Sequence, residues 1–169
     1  MKTTKSVEDY FFTGTDEVPN NPLLPLLIYR EAFQKSKDLA KEMEMVFQRN
    51  DWQPAWRFGI YDYPHYHSTA HEVIGVFQGR ARVSFGHTGG ITTWLEPGDV
   101  VVIPAGVGHQ SLETTRDFCA VGGYPVGQKP DIVRAKAGQD PATKEQIDCV
   151  LLPETDPIHG AKGPLMDLW

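Results

Sequence analysis

The chain has 169 residues, of which 40% are hydrophobic, and its formal net charge at pH 7 is −6. No basic cluster and no apolar segment near the ~20 residues of a membrane span occurs, which argues against nucleic-acid binding and membrane insertion. The first fifteen residues contain no apolar secretory core and the two cysteines match no metal spacing, so a cytoplasmic protein with reduced thiols is expected.

The first part of the chain predicts one helix. Residues 1–22 show no regular hydrophobic period and are predicted to be irregular, and a short apolar segment, Leu23–Ile28, follows them. From about Arg30 to Gln48 apolar residues recur at helical spacing between charged ones. This pattern predicts an amphipathic helix that ends near Asn50, a residue that tolerates a left-handed cap.

From Trp56 onward the hydrophobic period changes to two, which is typical of β-strands. The predicted strands are 56–63, 71–78, 80–86, 91–96, 100–103, 109–112 and 117–123. Turns rich in glycine and proline separate them. Many short strands with such turns indicate a β-sandwich or a jelly-roll barrel.

The tail after Tyr124 loses this period and carries recurrent prolines, so it is predicted to be irregular and to lie on the barrel surface. The expected organisation is one mostly-β domain in three parts. Residues 1–52 form an N-terminal extension with one helix, residues 53–124 form the barrel core, and residues 125–169 form a proline-rich C-terminal segment packed on the same domain.

Two histidines lie between the first two predicted strands, and a glutamate stands at the start of the second. His65 follows Gly59 after five residues, His67 follows His65 after one, Glu72 follows after four, and Gly79 after six more. Residues two apart in an extended chain point to the same face, so the imidazoles of His65 and His67 are predicted to lie side by side.

A second block ends in a third histidine. Pro104 follows Gly98 after five residues, Gly106 follows after one, His109 after two more, and Glu113 after a further three. Glycines in this turn permit the sharp reversal that brings the chain back into a strand. Three imidazoles and one carboxylate form a donor set that suits a divalent transition metal.

The two blocks resemble the two signature motifs of the cupin superfamily, and only the last position departs, where Glu113 replaces the usual asparagine. The runs HYHSTAHEVIGVFQG, GDVVVIPAGVGHQ and GGYPVGQKPDI are similar to those of the YjlB-like single-domain cupins, a family without an established activity. The resemblance implies a single jelly-roll β-barrel, here with an N-terminal helix and an irregular C-terminal tail, and a metal site.

The resemblance implies His65, His67, Glu72 and His109 as metal ligands. For the fourth ligand, Glu72, there is an alternative that depends on the length of the gap after His67. The six residues between Glu72 and Gly79 match the spacing of the family and favour Glu72, whereas a shorter gap after His67 would make His71 the ligand. One divalent transition ion per chain is expected, and Mn, Fe, Co, Ni, Cu and Zn all suit this donor set.

Four protein ligands on an ion that prefers six leave two positions for a small molecule. Wider relatives suggest dioxygenase-, decarboxylase- or isomerase-type chemistry on a small oxygen-rich or carboxylated molecule, and a non-catalytic metal or small-ligand binding or sensing module is the alternative. Whether the protein is an enzyme stays open at this point. Tyr61 and Tyr63, by alternation with the ligand face, and Glu113, by parity with His109, are the candidate catalytic residues.

A homodimer is also predicted. The apolar stripe of the helix and the segment Leu23–Ile28 together present more apolar surface than one barrel is expected to cover. Large exposed apolar patches usually mark contacts between proteins. Single-barrel cupins that the chain resembles often pair through their sheets.

Overall fold

The computed structural model describes residues 4–169, and within that range it contains eleven β-strands and three α-helices. The strands are β1 Ser6–Tyr10, β2 Leu26–Arg30, β3 Trp52–Phe58, β4 His65–Tyr66, β5 Glu72–Gln78, β6 Ala81–Phe85, β7 Ile91–Leu95, β8 Val100–Ile103, β9 His109–Thr114, β10 Cys119–Pro125 and β11 Val133–Arg134. The helices are α1 Leu39–Arg49, α2 Pro141–Asp148 and α3 Leu165–Leu168. None of these helices is long and apolar enough to cross a membrane.

The strands form two antiparallel sheets. One sheet has six strands in the order β1-β2-β8-β5-β10-β3, and the other has five in the order β11-β4-β9-β6-β7. This confirms the mostly-β prediction. The ladders within residues 4–169 do not join the two sheets into a closed barrel, so the predicted closed barrel is wrong in that respect. The single barrel was what the family resemblance implied. Strand number and turn spacing indicated only a sandwich or a jelly-roll barrel, and they do not determine whether the edge strands pair.

The six-stranded sheet is covered on both faces. Ile74 and Val101 point to the five-stranded sheet and belong to the core between the sheets. Their neighbours Val73 and Val100 point the other way, against α1 and the C-terminal segment. Burial on both faces explains why β2 and β8 read as unbroken apolar runs.

Two strands precede α1, so the predicted N-terminal position of the helix and the predicted irregular start of the chain are both wrong. β1 pairs with β2, with Ser6 opposite Arg30, and α1 begins only at Leu39. Residues 26–29 are fully buried. Periodicity alone cannot distinguish a short run that is apolar on both faces from a buried helical segment.

The apolar stripe of α1 packs on the sheet of its own chain. Met43 and Phe47 are fully buried and lie over Gly75 of β5, where an added Cβ would stand 2.8 Å from the Met43 sulfur. Both apolar regions that motivated the homodimer are thus covered largely within the chain, although Leu23 itself is exposed. The homodimer stays a prediction without that support.

Candidate metal centre

Three histidines meet in the space between the sheets. His65 of β4 lies opposite His109 of β9, and the centroids of the two rings are 4.1 Å apart. His67, one residue beyond β4, has its ring 5.6 Å from that of His65 and 5.4 Å from that of His109. All three are buried, and one ligand nitrogen from each lies within 4.8 Å of the others. The cluster is therefore able to hold a metal ion.

Each imidazole has its Nδ1 beside a main-chain carbonyl oxygen. In His65 and in His109 this nitrogen lies 3.0 Å from the carbonyl oxygen two residues earlier in the chain. In His67 it contacts the carbonyl oxygen of Asp131. A carbonyl oxygen can only accept, so Nδ1 carries the proton in each ring and Nε2 faces the centre. Hydrogen bonds of this kind are how proteins orient metal-binding histidines.

The carboxylate of Glu72 approaches the same point from β5. Its Oε2 is 3.1 Å from Nε2 of His67 and 3.2 Å from Nε2 of His109, and the side chain is buried. The centre thus presents three imidazole nitrogens and one carboxylate oxygen. This set fits a divalent transition metal, for which imidazole and carboxylate are common ligands.

His71 has different surroundings. Its Nδ1 accepts a hydrogen bond from the main-chain N–H of Ala105 at 2.9 Å, and its ring packs against that of Trp169 at 4.7 Å. Burial lowers the pKa of His71 to about 4, which keeps the ring neutral. This geometry favours Glu72 over His71 as the fourth ligand, and the assignment stays a prediction.

The buried groups of the centre perturb one another. Burial, together with the neighbouring His109, lowers the pKa of His65 to about 3. Burial also disfavours the charged form of His67, but the Glu72 carboxylate and the Asp131 carbonyl outweigh it and raise the pKa of His67 to about 9. The Glu72 carboxyl is buried as well, yet the two adjacent imidazoles hold its pKa well below the usual range. Both pKa shifts favour a charged imidazole beside an ionised carboxylate, and a divalent cation would compete with the His67 proton for this position.

Tyr61 and Tyr63 lie beside His65, in the loop between β3 and β4. Their rings stack with centroids 5.0 Å apart, and the ring of Tyr61 meets that of His65 edge-on at 5.2 Å. The guanidinium of Arg134 lies 3.8 Å from the centroid of the Tyr63 ring. Tyr61 is 43% exposed and therefore stands between the centre and solvent.

The structure does not bring Glu113 to the centre. Its side chain is 59% exposed, and its Oε2 lies 3.2 Å from Nε of Arg82. Along β9, Ser111 pairs with Val83 but Glu113 pairs with Arg82, the very next residue of β6, so Leu112 has no partner. This β-bulge reverses the alternation after Ser111, so the inner-face position that parity with His109 predicted for Glu113 is wrong.

Tyr124 and Trp56 form a hydrogen-bonded chain behind Glu72. The indole N–H of Trp56 donates to the Tyr124 hydroxyl at 3.0 Å, and that hydroxyl donates to Oε1 of Glu72 at 3.2 Å. Gly122 makes room, because a Cβ there would lie 1.8 Å from the indole ring. Burial and the Glu72 charge raise the pKa of Tyr124, so it stays a donor. Sequence reasoning missed Tyr124, although extending the alternation of β10 by one step past Gly122 would have placed it inward.

A small cavity opens beside the histidines. Its volume is about 30 Å³, which is room for about one or two water molecules. Its walls are the ligand candidates His65, Glu72 and His109 together with Trp56, Gly59, Ile60, Tyr61 and Ile74. The lining contains no lysine or arginine. The cavity therefore offers apolar contact and one phenol beside the polar centre.

Comparison with known proteins places the chain within a family. Residues 59–123 match the family model described as Cupin. The chain is 36% identical over 165 residues to the uncharacterized protein YjlB of Bacillus subtilis (strain 168), covering 98% of each chain. The Cupin match spans both histidine blocks, and the relative extends the likeness to nearly the whole chain.

Two solved structures show weaker likeness. The DMSP lyase DddQ from Ruegeria pomeroyi DSS-3 is 18% identical with a TM-score of 0.39, over 80% of this chain and 53% of the lyase chain, so the match spans about half of the lyase. RmlC from Streptococcus suis, in complex with dTDP-D-xylose, is 16% identical with a TM-score of 0.35, over 95% of this chain and 96% of the other. Similarity at this level does not bear on ligand or reaction.

Proposed function

Because the chain belongs to the cupin family, we propose that it binds one divalent transition-metal ion per chain through Nε2 of His65, His67 and His109 and a carboxylate oxygen of Glu72. The convergence of three buried imidazoles, each oriented by a carbonyl oxygen, carries this proposal. The donor set suits Mn, Fe, Co, Ni, Cu and Zn alike. An ion bound there would supply Lewis acidity, which polarises the oxygen donor of a bound molecule.

The bound molecule is a small oxygen-rich or carboxylated compound, and the reaction is of the dioxygenase, decarboxylase or isomerase type. Trp56, Ile60 and Ile74 supply apolar walls that exclude water and strengthen electrostatic attraction in the site. Tyr61 supplies the one phenol that can contact the compound from the solvent side. Because the lining apart from the proposed ligands and Tyr61 is apolar, the compound places its oxygen donors at the metal-facing end.

The second candidate is a non-catalytic module that binds or senses a small ligand. The composition of the cavity lining favours it. Apart from the three proposed ligands His65, Glu72 and His109, Tyr61 is the only titratable side chain in the cavity lining. A reaction that needs a separate acid and base would lack one partner there. The cytoplasmic location, the homodimer and the three-part division at residues 52 and 124 are further proposals.

Metal content tests the proposed site. Elemental analysis of protein purified from its own host should give about one ion per chain, and the double variant His65→Ala, His67→Ala should give almost none. The matched control is His87→Ala, His159→Ala, which removes two histidines outside the cluster. Equal metal content in the two double variants would contradict the site.

Ligand binding separates the two candidate functions. Small carboxylates, diketones and catechols are titrated by calorimetry into metal-loaded and metal-free protein, and turnover is followed under air with each metal. Metal-dependent binding with turnover supports the enzyme. Metal-dependent binding without turnover supports the sensing module, and binding that does not depend on metal contradicts both.

A further inference from the structure

The three histidines differ in how far along the chain their orienting carbonyls lie. Nδ1 of His65 is 3.0 Å from the carbonyl oxygen of Tyr63, and Nδ1 of His109 is 3.0 Å from that of Val107, so each is held by its own strand. Nδ1 of His67 contacts the carbonyl oxygen of Asp131, which is 64 residues away. The ring of His67 therefore depends on a segment that belongs to neither histidine block.

The carboxylate of Asp131 fastens that segment to the turn that follows His67. Its Oδ1 accepts a hydrogen bond from the main-chain N–H of Ser68 at 2.6 Å, and its Oδ2 accepts one from the Ser68 hydroxyl. The hydroxyl of Thr69 donates to the carbonyl oxygen of Lys129 at 2.6 Å and lies 2.9 Å from the main-chain nitrogen of Asp131, whose N–H donates to it. Hydrogen bonds to an ionised carboxylate are stronger than neutral ones, so this turn and the 129–131 segment are held together firmly.

Residues that follow Asp131 also contact the strand that carries His65. β11 pairs with β4, with Val133 opposite Tyr66 and Arg134 opposite His65, and the N–H of Ala135 donates to the carbonyl oxygen of Pro64 at 3.0 Å. Asp131 lies outside residues 59–123, which match the Cupin model. The C-terminal segment thus contributes an orienting group to a centre whose metal ligands all lie within those residues.

We propose that Asp131 is a positioning residue of the metal centre: its carboxylate holds the Ser68–Thr69 turn, and this places its own carbonyl oxygen where it fixes the His67 imidazole. The expected effect of Asp131 on metal affinity rests on the proposed metal site. The orientation of His67 by Asp131 does not require a metal. It can therefore be tested both without and with an ion.

The first test uses metal-free protein and proton NMR of the imidazole Nδ1–H groups. The wild type should show three slowly exchanging signals, and Asp131→Ala should lose only that of His67, with His65 and His109 as internal references. Asp62→Ala, which removes an equal charge from the exposed loop before His65, should keep all three. Retention of all three signals in Asp131→Ala overturns the proposal, whatever the protein does with metals.

The second test is a titration with Co²⁺ followed by visible absorption. Loss of a group that orients a ligand typically costs 10–100-fold in metal affinity, so Asp131→Ala should bind about 10–100-fold more weakly and show an altered spectrum at saturation. Asp131→Asn should be closer to the wild type, because its amide oxygen still accepts from the Ser68 N–H. Asp62→Ala should bind like the wild type, and equal weakening in the two alanine variants would assign the effect to charge alone and overturn the proposal.

Three further outcomes are decisive. If Asp131→Ala does not fold, the same loss of affinity on a smaller scale is expected in Asp131→Asn and in Ser68→Ala, and unchanged affinity in both overturns the proposal. A wild type that takes up no Co²⁺ contradicts the proposed function and with it the role of Asp131 toward a metal. Unchanged affinity in folded Asp131→Ala contradicts the role of Asp131 alone.

Discussion

His71 and Glu72 are adjacent in the sequence and both buried, yet they contact different parts of the protein. Successive side chains of an extended chain point to opposite faces, so Glu72 meets the histidine cluster while His71 meets Ala105 and Trp169. We expect Glu72→Gln to weaken metal binding at least about 10-fold, since it removes the charge of the proposed fourth ligand. His71→Gln should bind nearly as the wild type does in the same metal titration. The reverse order would show that the shorter gap after His67 gives the correct register.

The hydroxyl of Tyr124 holds the outer oxygen of Glu72 and leaves Oε2 to face the histidines. Tyr124→Phe removes this hydrogen bond and also leaves the indole N–H of Trp56 without its acceptor. We expect a loss of about 10-fold in metal affinity, the lower end of the range for groups that support a ligand. Tyr10→Phe is the control, because its hydroxyl also donates to a carboxylate, that of Glu8, in β1. Equal affinities for the two variants would assign no role to Tyr124.

The sequence predicted those parts of the centre that depend on local spacing. The pairing of His65 with His67 follows from strand alternation, and the structure does bring His109 to them. Asp131 left no such signal, because it lies in a proline-rich segment without a period and acts on a turn more than sixty residues earlier. Glu113 shows the opposite error, since one unpaired residue, Leu112, reverses the alternation on which its placement depended.

At the level of elements, strands with a clear period or clear turns were predicted well. β8 has the predicted bounds, Val100–Ile103, and β7 differs from its prediction by one residue, whereas the predicted strand 56–63 is wrong, since β3 covers Trp52–Phe58. β2 was missed because both of its faces are buried, one against the second sheet and one against α1, which removes the alternation that identifies a strand. Because β2 was not predicted, the Leu23–Ile28 region was interpreted as exposed apolar surface that a partner must cover.

Two methionines of α1 test where the apolar stripe of this helix packs. Met43 is fully buried against the six-stranded sheet, and Met45, two residues later, is 61% exposed. Met43→Ala should lower the free energy of unfolding by about 2–5 kcal/mol, the usual cost of truncating a buried methionine. Met45→Ala should change it by less than about 0.5 kcal/mol, as exposed substitutions do. Denaturant unfolding measures both, and equal effects would contradict the packing of α1.

The assembly of the whole molecule is a separate question from the packing of α1. A homodimer predicts a light-scattering mass of about twice the 18.9 kDa of one chain at micromolar concentration. Met43→Ala should leave that mass unchanged, because Met43 contacts the sheet of its own chain. A wild type with the mass of one chain contradicts the homodimer. A change of mass in Met43→Ala alone would instead place α1 at an interface.

The proposed metal centre connects the main parts of the molecule, since His65 and His109 come from one sheet, Glu72 from the other, and His67 is held by the C-terminal segment. An ion that binds only the folded chain should therefore stabilise the whole fold. At a free concentration 100 times its dissociation constant it adds about 2.7 kcal/mol. For a chain of this size each kcal/mol raises Tm by roughly 2–4 °C, so the wild type should gain about 5–10 °C. His87→Ala, His159→Ala should gain as much, and His65→Ala, His67→Ala should gain nothing; a wild type whose Tm does not respond to any of the six metals would contradict the centre.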